Sequence, residues 1–131
     1  MIHSRVAMGT LVSIEVDAPA EAIERAFAWF RQVEAVCSRF DAASELRLLP
    51  VGRPATASPL LFEAVRFALQ VARETDGAFD PTLGSRMAAR GYSRHYITRA
   101  VAGAPGDVDA SFRDVVLDED ARTILLTRQR T

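Results

Sequence analysis

The sequence predicts an α+β fold of antiparallel strands with two packed helices, and three observations carry that prediction. Residues 6–16 alternate with a period of two. Two later segments carry apolar stripes at spacings of three and four, and residues 112–127 hold two short β-rich runs around a polar linker. The order strand, helix, helix, hairpin contains no repeated strand–helix–strand unit, which argues against a doubly wound parallel sheet. At 131 residues, 49% of them apolar and 25% charged, the chain is large and apolar enough to bury a core of its own.

From Val6 to Val16, Met8, Thr10, Val12, Ile14 and Val16 share one face, and Ala7, Gly9, Leu11, Ser13 and Glu15 the other. That is the pattern of one strand, interrupted at Gly9, where a glycine marks a bulge or a close approach of another group. Asp17 to Pro19 ends the strand and opens a helix running to about Ser38. Its stripe is Ile23, Ala26, Phe27, Phe30, Val33 and Cys37, with Glu21, Glu24, Arg25, Arg31 and Glu34 off the stripe. Residues 39–57 read as loop, punctuated by Pro50, Gly52 and Pro54, with Thr56 placed for brief strand pairing. Ser58 is a good N-cap and Pro59 suits the first turn of a second helix. Leu61, Val65, Ala68, Leu69 and Ala72 form its buried stripe, and Gly77 can supply a left-handed stop. A turn-rich segment follows to Gly84, then a less regular stretch with a short helix expected near Tyr96 to Ala102. Phe112–Leu117 and Thr123–Thr127 are the last strands, joined by Asp118–Arg122 at hairpin length.

Lys and Arg number 16 against 17 Asp and Glu, a net charge of −1, so there is no general attraction to nucleic acid or anionic membranes. The basic run from Arg86 to Arg99 reads as a solvated face. Cys37 is the single cysteine and lies on the helical stripe, which favours a buried, inert thiol. The opening MIHSRVAMGT lacks a basic region followed by an apolar core, and no apolar run nears the roughly 20 residues of a membrane span. As given, the chain is expected to be soluble and cytoplasmic.

General catalytic signatures are weak. His3 and His95 are far apart, no His, Cys or carboxylate cluster has metal-ligand spacing, and neither a phosphate loop nor G-x-S-x-G is present. No residue of this chain is assigned a catalytic or metal-ligating role. One local feature stands out. Asp80 directly precedes Pro81, which pushes its backbone to extended geometry next to Phe79. Such a carboxylate can accept hydrogen bonds from a heterocycle while the ring covers its face. The plainer alternative is a turn in which Asp80 caps its own backbone and Phe79 fills the core.

Four stretches, in order, resemble one family. They are Met8-Gly9-Thr10 with the alternation that follows; Cys37-Ser38-Arg39-Phe40-Asp41 with Ser44-Glu45-Leu46; Thr75-Asp76-Gly77-Ala78-Phe79-Asp80-Pro81-Thr82-Leu83-Gly84; and Val115 to Leu126. Together they are similar to the N-terminal portion of the ApbE-like FAD:protein FMN transferases, and the third is the most specific. The resemblance covers essentially all of residues 1–131 and about the first 40% of a family member. It implies an ApbE, or T-fold-like, architecture. The implied activity is Mg²⁺-dependent transfer of FMN from FAD to a threonine of a target flavoprotein, with release of AMP. It also implies that Met8, Phe40, Ala78, Phe79 and Asp80 line the FAD site. Pro50 stands where the family carries an asparagine, and Phe40 where many members carry tyrosine.

The family's D-L-G-G-x-x-K-G segment has no counterpart before Arg128-Gln129-Arg130-Thr131, and the Mg²⁺ ligands are expected beyond it. The expectation is therefore the FAD-binding front of a transferase, inactive alone and truncated before its catalytic segment. It is expected to self-associate through an exposed sheet edge. The alternative is a non-catalytic module or remnant that holds FAD or docks on a protein.

Overall fold

The computed structural model describes residues 1–82 and 110–128. Leu83 and Gly84, the basic run, His95, the expected helix near 96–102 and residues 129–131 lie outside the described residues. Within them the α+β expectation holds: two antiparallel sheets pack with three helices.

Two strands replace the single one expected at the N-terminus. β1 (Ile2–Ala7) and β2 (Thr10–Glu15) pair antiparallel in the register Ile2↔Glu15 to Ala7↔Thr10, so only Met8 and Gly9 remain as the connection. Both have positive φ, 52° and 75°. That is the type I′ pattern, whose twist matches that of the flanking strands. Gly9 therefore marks a turn and not a bulge. Met8 is a poor residue for it, because a side chain in the left-handed region costs on the order of 1 kcal/mol.

α1 (Ala20–Cys37) buries Ile23 and Phe27 of the expected stripe, and its N-terminus lacks a side-chain cap at Pro19. The loop after it holds two small elements. α2 (Glu45–Leu48) is one turn capped by Ser44, and β3 (Pro54–Thr56) includes Thr56 as expected.

α3 (Pro59–Glu74) starts as the sequence indicates: Ser58 Oγ accepts the Leu61 N–H at 3.3 Å, with Pro59 in the first turn. Its end differs in one residue. Asp76, φ 50°, takes the left-handed position, and its N–H donates to the Arg73 carbonyl at 3.1 Å. Gly77 follows at φ 81° and donates to Ala72 O at 2.8 Å, completing a Schellman motif. Gly77 also lies close to Phe112: a Cβ there would sit 3.3 Å from the ring, which would have to shift slightly to admit it.

Phe112–Asp114, expected as the start of a strand, instead form a single 3₁₀ turn, and β4 (Val115–Asp118) and β5 (Thr123–Leu126) then form the expected hairpin. β5 is the central strand of the order β3-β5-β4. The core lies between this sheet and α3: Leu61, Phe62, Leu69 and Ala72 meet Phe112, Val115, Ile124 and Leu126.

Candidate functional site

Met8 and Phe40, 32 residues apart, line one cleft of about 220 Å³ with Val33, Glu34, Cys37, Ser38 and Arg39. Each wall has a local cause. Helix α1 stops at Cys37 because Ser38 turns to extended geometry, and Ser38 Oγ accepts the Phe40 N–H at 3.2 Å. Ser44 then ties the loop back. Its hydroxyl donates to Ser38 O at 2.6 Å and accepts the Arg47 N–H at 3.3 Å. With only 1% of its surface exposed, losing those bonds would strand buried polar groups. Glu45 Oε2 accepts the Ser58 N–H at 2.7 Å, linking α2 to the start of α3. The Ser44-Glu45 pair thus works as a double cap. The sequence offers one signal for it, a Ser followed by a short run of helix formers.

The opposite wall is the Met8-Gly9 turn. The Met8 N–H donates to Glu34 Oε2 at 3.2 Å, so a carboxylate of α1 holds the hairpin tip. Arg5 adds two contacts to the same helix. It lies 2.7 Å from Glu24 Oε1, and its guanidinium sits 5.2 Å above the buried Phe27 ring.

The cleft is mostly apolar, with one cation. The Arg39 guanidinium stacks 4.6 Å above the Phe40 ring. Burial pulls its pKa down, yet an arginine stays protonated in a protein. Cys37 is half-buried, and burial, then the Glu45 carboxylate, pushes its thiol up. It stays protonated near neutral pH, as an inert thiol should. Volumes of roughly 300–1,000 Å³ enclose a drug-sized ligand. The present cleft, at about 220 Å³, is smaller than that.

The remaining three expected site residues do not line this cleft. Ala78 and Phe79 are exposed on the turn after α3, Phe79 at 44%, so Phe112 and not Phe79 fills the core beneath. Both oxygens of Asp80 have partners within the chain. Oδ1 accepts the Thr82 N–H at 2.8 Å and its hydroxyl at 2.6 Å, and Oδ2 accepts the Phe112 N–H at 3.2 Å. Thr82 is 2% exposed, and its hydroxyl also lies 3.3 Å from Ala110 O. Thr75 completes the segment, donating to Val71 O at 2.8 Å and accepting the Phe79 N–H at 3.1 Å. Most of this motif therefore stops a helix and fastens it to the sheet, which leaves Ala78 and Phe79 facing outward. A second cleft of about 200 Å³ lies beside it, lined among others by Pro81, Thr82, Leu46 and Val65. Cys37 borders both clefts.

The described residues do not fit a magnesium ion. Among the described residues no three His, Cys, Asp or Glu side chains are grouped to hold a metal, and none of their helices is long and apolar enough to cross a membrane.

Comparison with known proteins bears on this arrangement. No curated protein matches the chain. Among solved structures, it superposes on the ApbE protein of Thermotoga maritima with a TM-score of 0.68 at 17% identity, covering 99% of this chain and 46% of that one. It superposes equally well, at 0.68 and 19% identity, on the apo form of the Pseudomonas stutzeri flavinyl transferase ApbE, covering 99% and 48%. The chain thus spans about half the length of the structures it matches. At such identities the likeness speaks for the fold. The family model described as ApbE family matches residues 8–130, from the methionine of the hairpin turn to beyond the last strand. A match over nearly the whole sequence, on a fold shared with two solved ApbE proteins, means that this chain belongs to the ApbE family.

Proposed function

We propose that this chain is the flavin-binding portion of an FAD:protein FMN transferase. The single observation that carries the reading is the cleft that brings Met8 of the first motif against Arg39 and Phe40 of the second. An aromatic ring and a polarizable thioether are suitable partners for a flat, electron-poor ring, and the Arg39 guanidinium offers N–H donors to a ligand's carbonyl or phosphate oxygens. The exposed Ala78-Phe79 turn would meet another part of the dinucleotide, and Asp80 would shape that turn through its backbone bonds. In the transfer, a threonine oxygen of the target flavoprotein replaces AMP on the FMN phosphorus, and the hydroxyl proton leaves to solvent. Magnesium would stabilise the phosphoryl charge. The described residues supply no site for it, so its ligands would lie outside them.

The alternative is a non-catalytic FAD-binding or protein-docking module. Titrating FAD into the purified chain and following quenching of flavin fluorescence tests the proposed reading. Saturable quenching supports a working flavin site. Its absence would overturn the reading. AMP release on adding Mg²⁺ and a candidate flavoprotein then separates transferase from binding module.

A further inference from the structure

Met8 occupies a position that its residue type disfavours, and a charged side chain from another element holds it there. Its φ of 52° is left-handed, a conformation that asparagine or glycine would adopt more easily in the first place of a type I′ turn. Met8 nevertheless lines the cleft, and its N–H is taken by Glu34 Oε2 at 3.2 Å. Glu34 borders the same cleft one helical turn before Cys37 and Ser38. A residue held against its preference, in a turn where a better residue would be more stable, marks strain kept for a purpose. We infer that Glu34 is a positioning residue: by accepting the Met8 N–H it sets the strained hairpin tip so that the Met8 side chain closes one wall of the flavin cleft. The inference rests on the reading of that cleft as a flavin site.

Three substitutions separate the effects on stability from those on binding. Met8→Asn relaxes the turn and removes the thioether, so it raises the melting temperature while weakening FAD by about tenfold, the change expected for one lost side-chain contact of about 1.4 kcal/mol. A merely structural turn would show the first effect without the second. Glu34→Ala removes the acceptor, frees the tip and weakens FAD by a comparable factor. Glu34→Gln keeps an oxygen acceptor and restores affinity to within about threefold of the parent chain, well inside the factor of ten that 1.4 kcal/mol represents.

The test is FAD fluorescence titration and thermal melting of the full 131-residue chain and these three variants, with hydrogen exchange at the Met8 amide as a ligand-free readout. Protection of that amide in the parent and Glu34→Gln chains, lost in Glu34→Ala, is the expected pattern. If the parent chain binds FAD and Met8→Asn binds it equally well, the inference falls and the flavin reading stands. If Glu34→Gln fails like Glu34→Ala, positioning through the hydrogen bond is likewise overturned. If the parent chain does not bind FAD, both fall together.

Discussion

The N-terminal hairpin and the α3 sheet layer are built on different principles. The sheet layer closes over a continuous apolar core in which Leu61, Leu69 and Ile124 are essentially inaccessible to water. The β1–β2 hairpin contributes only Ala7 to the buried set, and it leaves Val6 and Leu11, which face each other across the strands, each 65% exposed. Its hold on α1 comes largely through Arg5–Glu24, Arg5 above Phe27 and Met8–Glu34. Apolar burial is worth roughly 25 cal/mol per Å² and is non-directional. Exposed ion pairs contribute about 0–1 kcal/mol and depend on direction. The lesson is that the part carrying stability and the part shaping one wall of the cleft are separate. Such a wall can shift without unfolding the core.

That contrast can be broken most severely in the core. Leu69→Ala removes a fully buried side chain facing the sheet and should cost about 2–5 kcal/mol by chemical denaturation. A loss below 1 kcal/mol would mean the core is not closed as described. At the junction between the two regions, Ser44→Ala strands the Ser38 carbonyl and uncaps α2. It should cost about 1–3 kcal/mol in the same assay. In the hairpin, Arg5→Ala should cost no more than about 1 kcal/mol globally. It should also raise hydrogen exchange in β1 and β2 while leaving α3 protected. Equal loss of protection in both regions would show that they unfold as one unit and would remove the distinction.

The same contrast explains what the sequence made legible. Helix α3 was readable to its first residue, because Ser58-Pro59 is a local cap signal and Leu61, Leu69 and Ala72 keep the helical period. The β4–β5 hairpin was readable from its two β-rich runs. The first hairpin was not: Ile2, His3, Ser4 and Arg5 show no clean alternation, and Met8 is no turn former. The strand reading therefore began at Val6 and ran through the turn. Nor did the sequence reveal Glu34 and Glu45 as backbone acceptors, since their partners lie 26 and 13 residues away. At Asp80 both local alternatives had been visible. The structure favours the backbone-capping one for the carboxylate while placing Phe79 outside the core. For that reason Asp80→Ala is a poor probe of binding, because it would loosen the turn whether or not flavin touches it.

Phe40→Leu probes the flavin cleft more cleanly, because it keeps most of the apolar volume and removes only the ring face. The measurement is FAD affinity by flavin fluorescence for the parent chain and Phe40→Leu, each with its thermal melt. The expected result is saturable binding by the parent, weakened about tenfold in the variant, the factor given by 1.4 kcal/mol of lost ring contact, with similar melting temperatures. Equal affinity in the two chains would contradict the assignment of this cleft to the flavin ring.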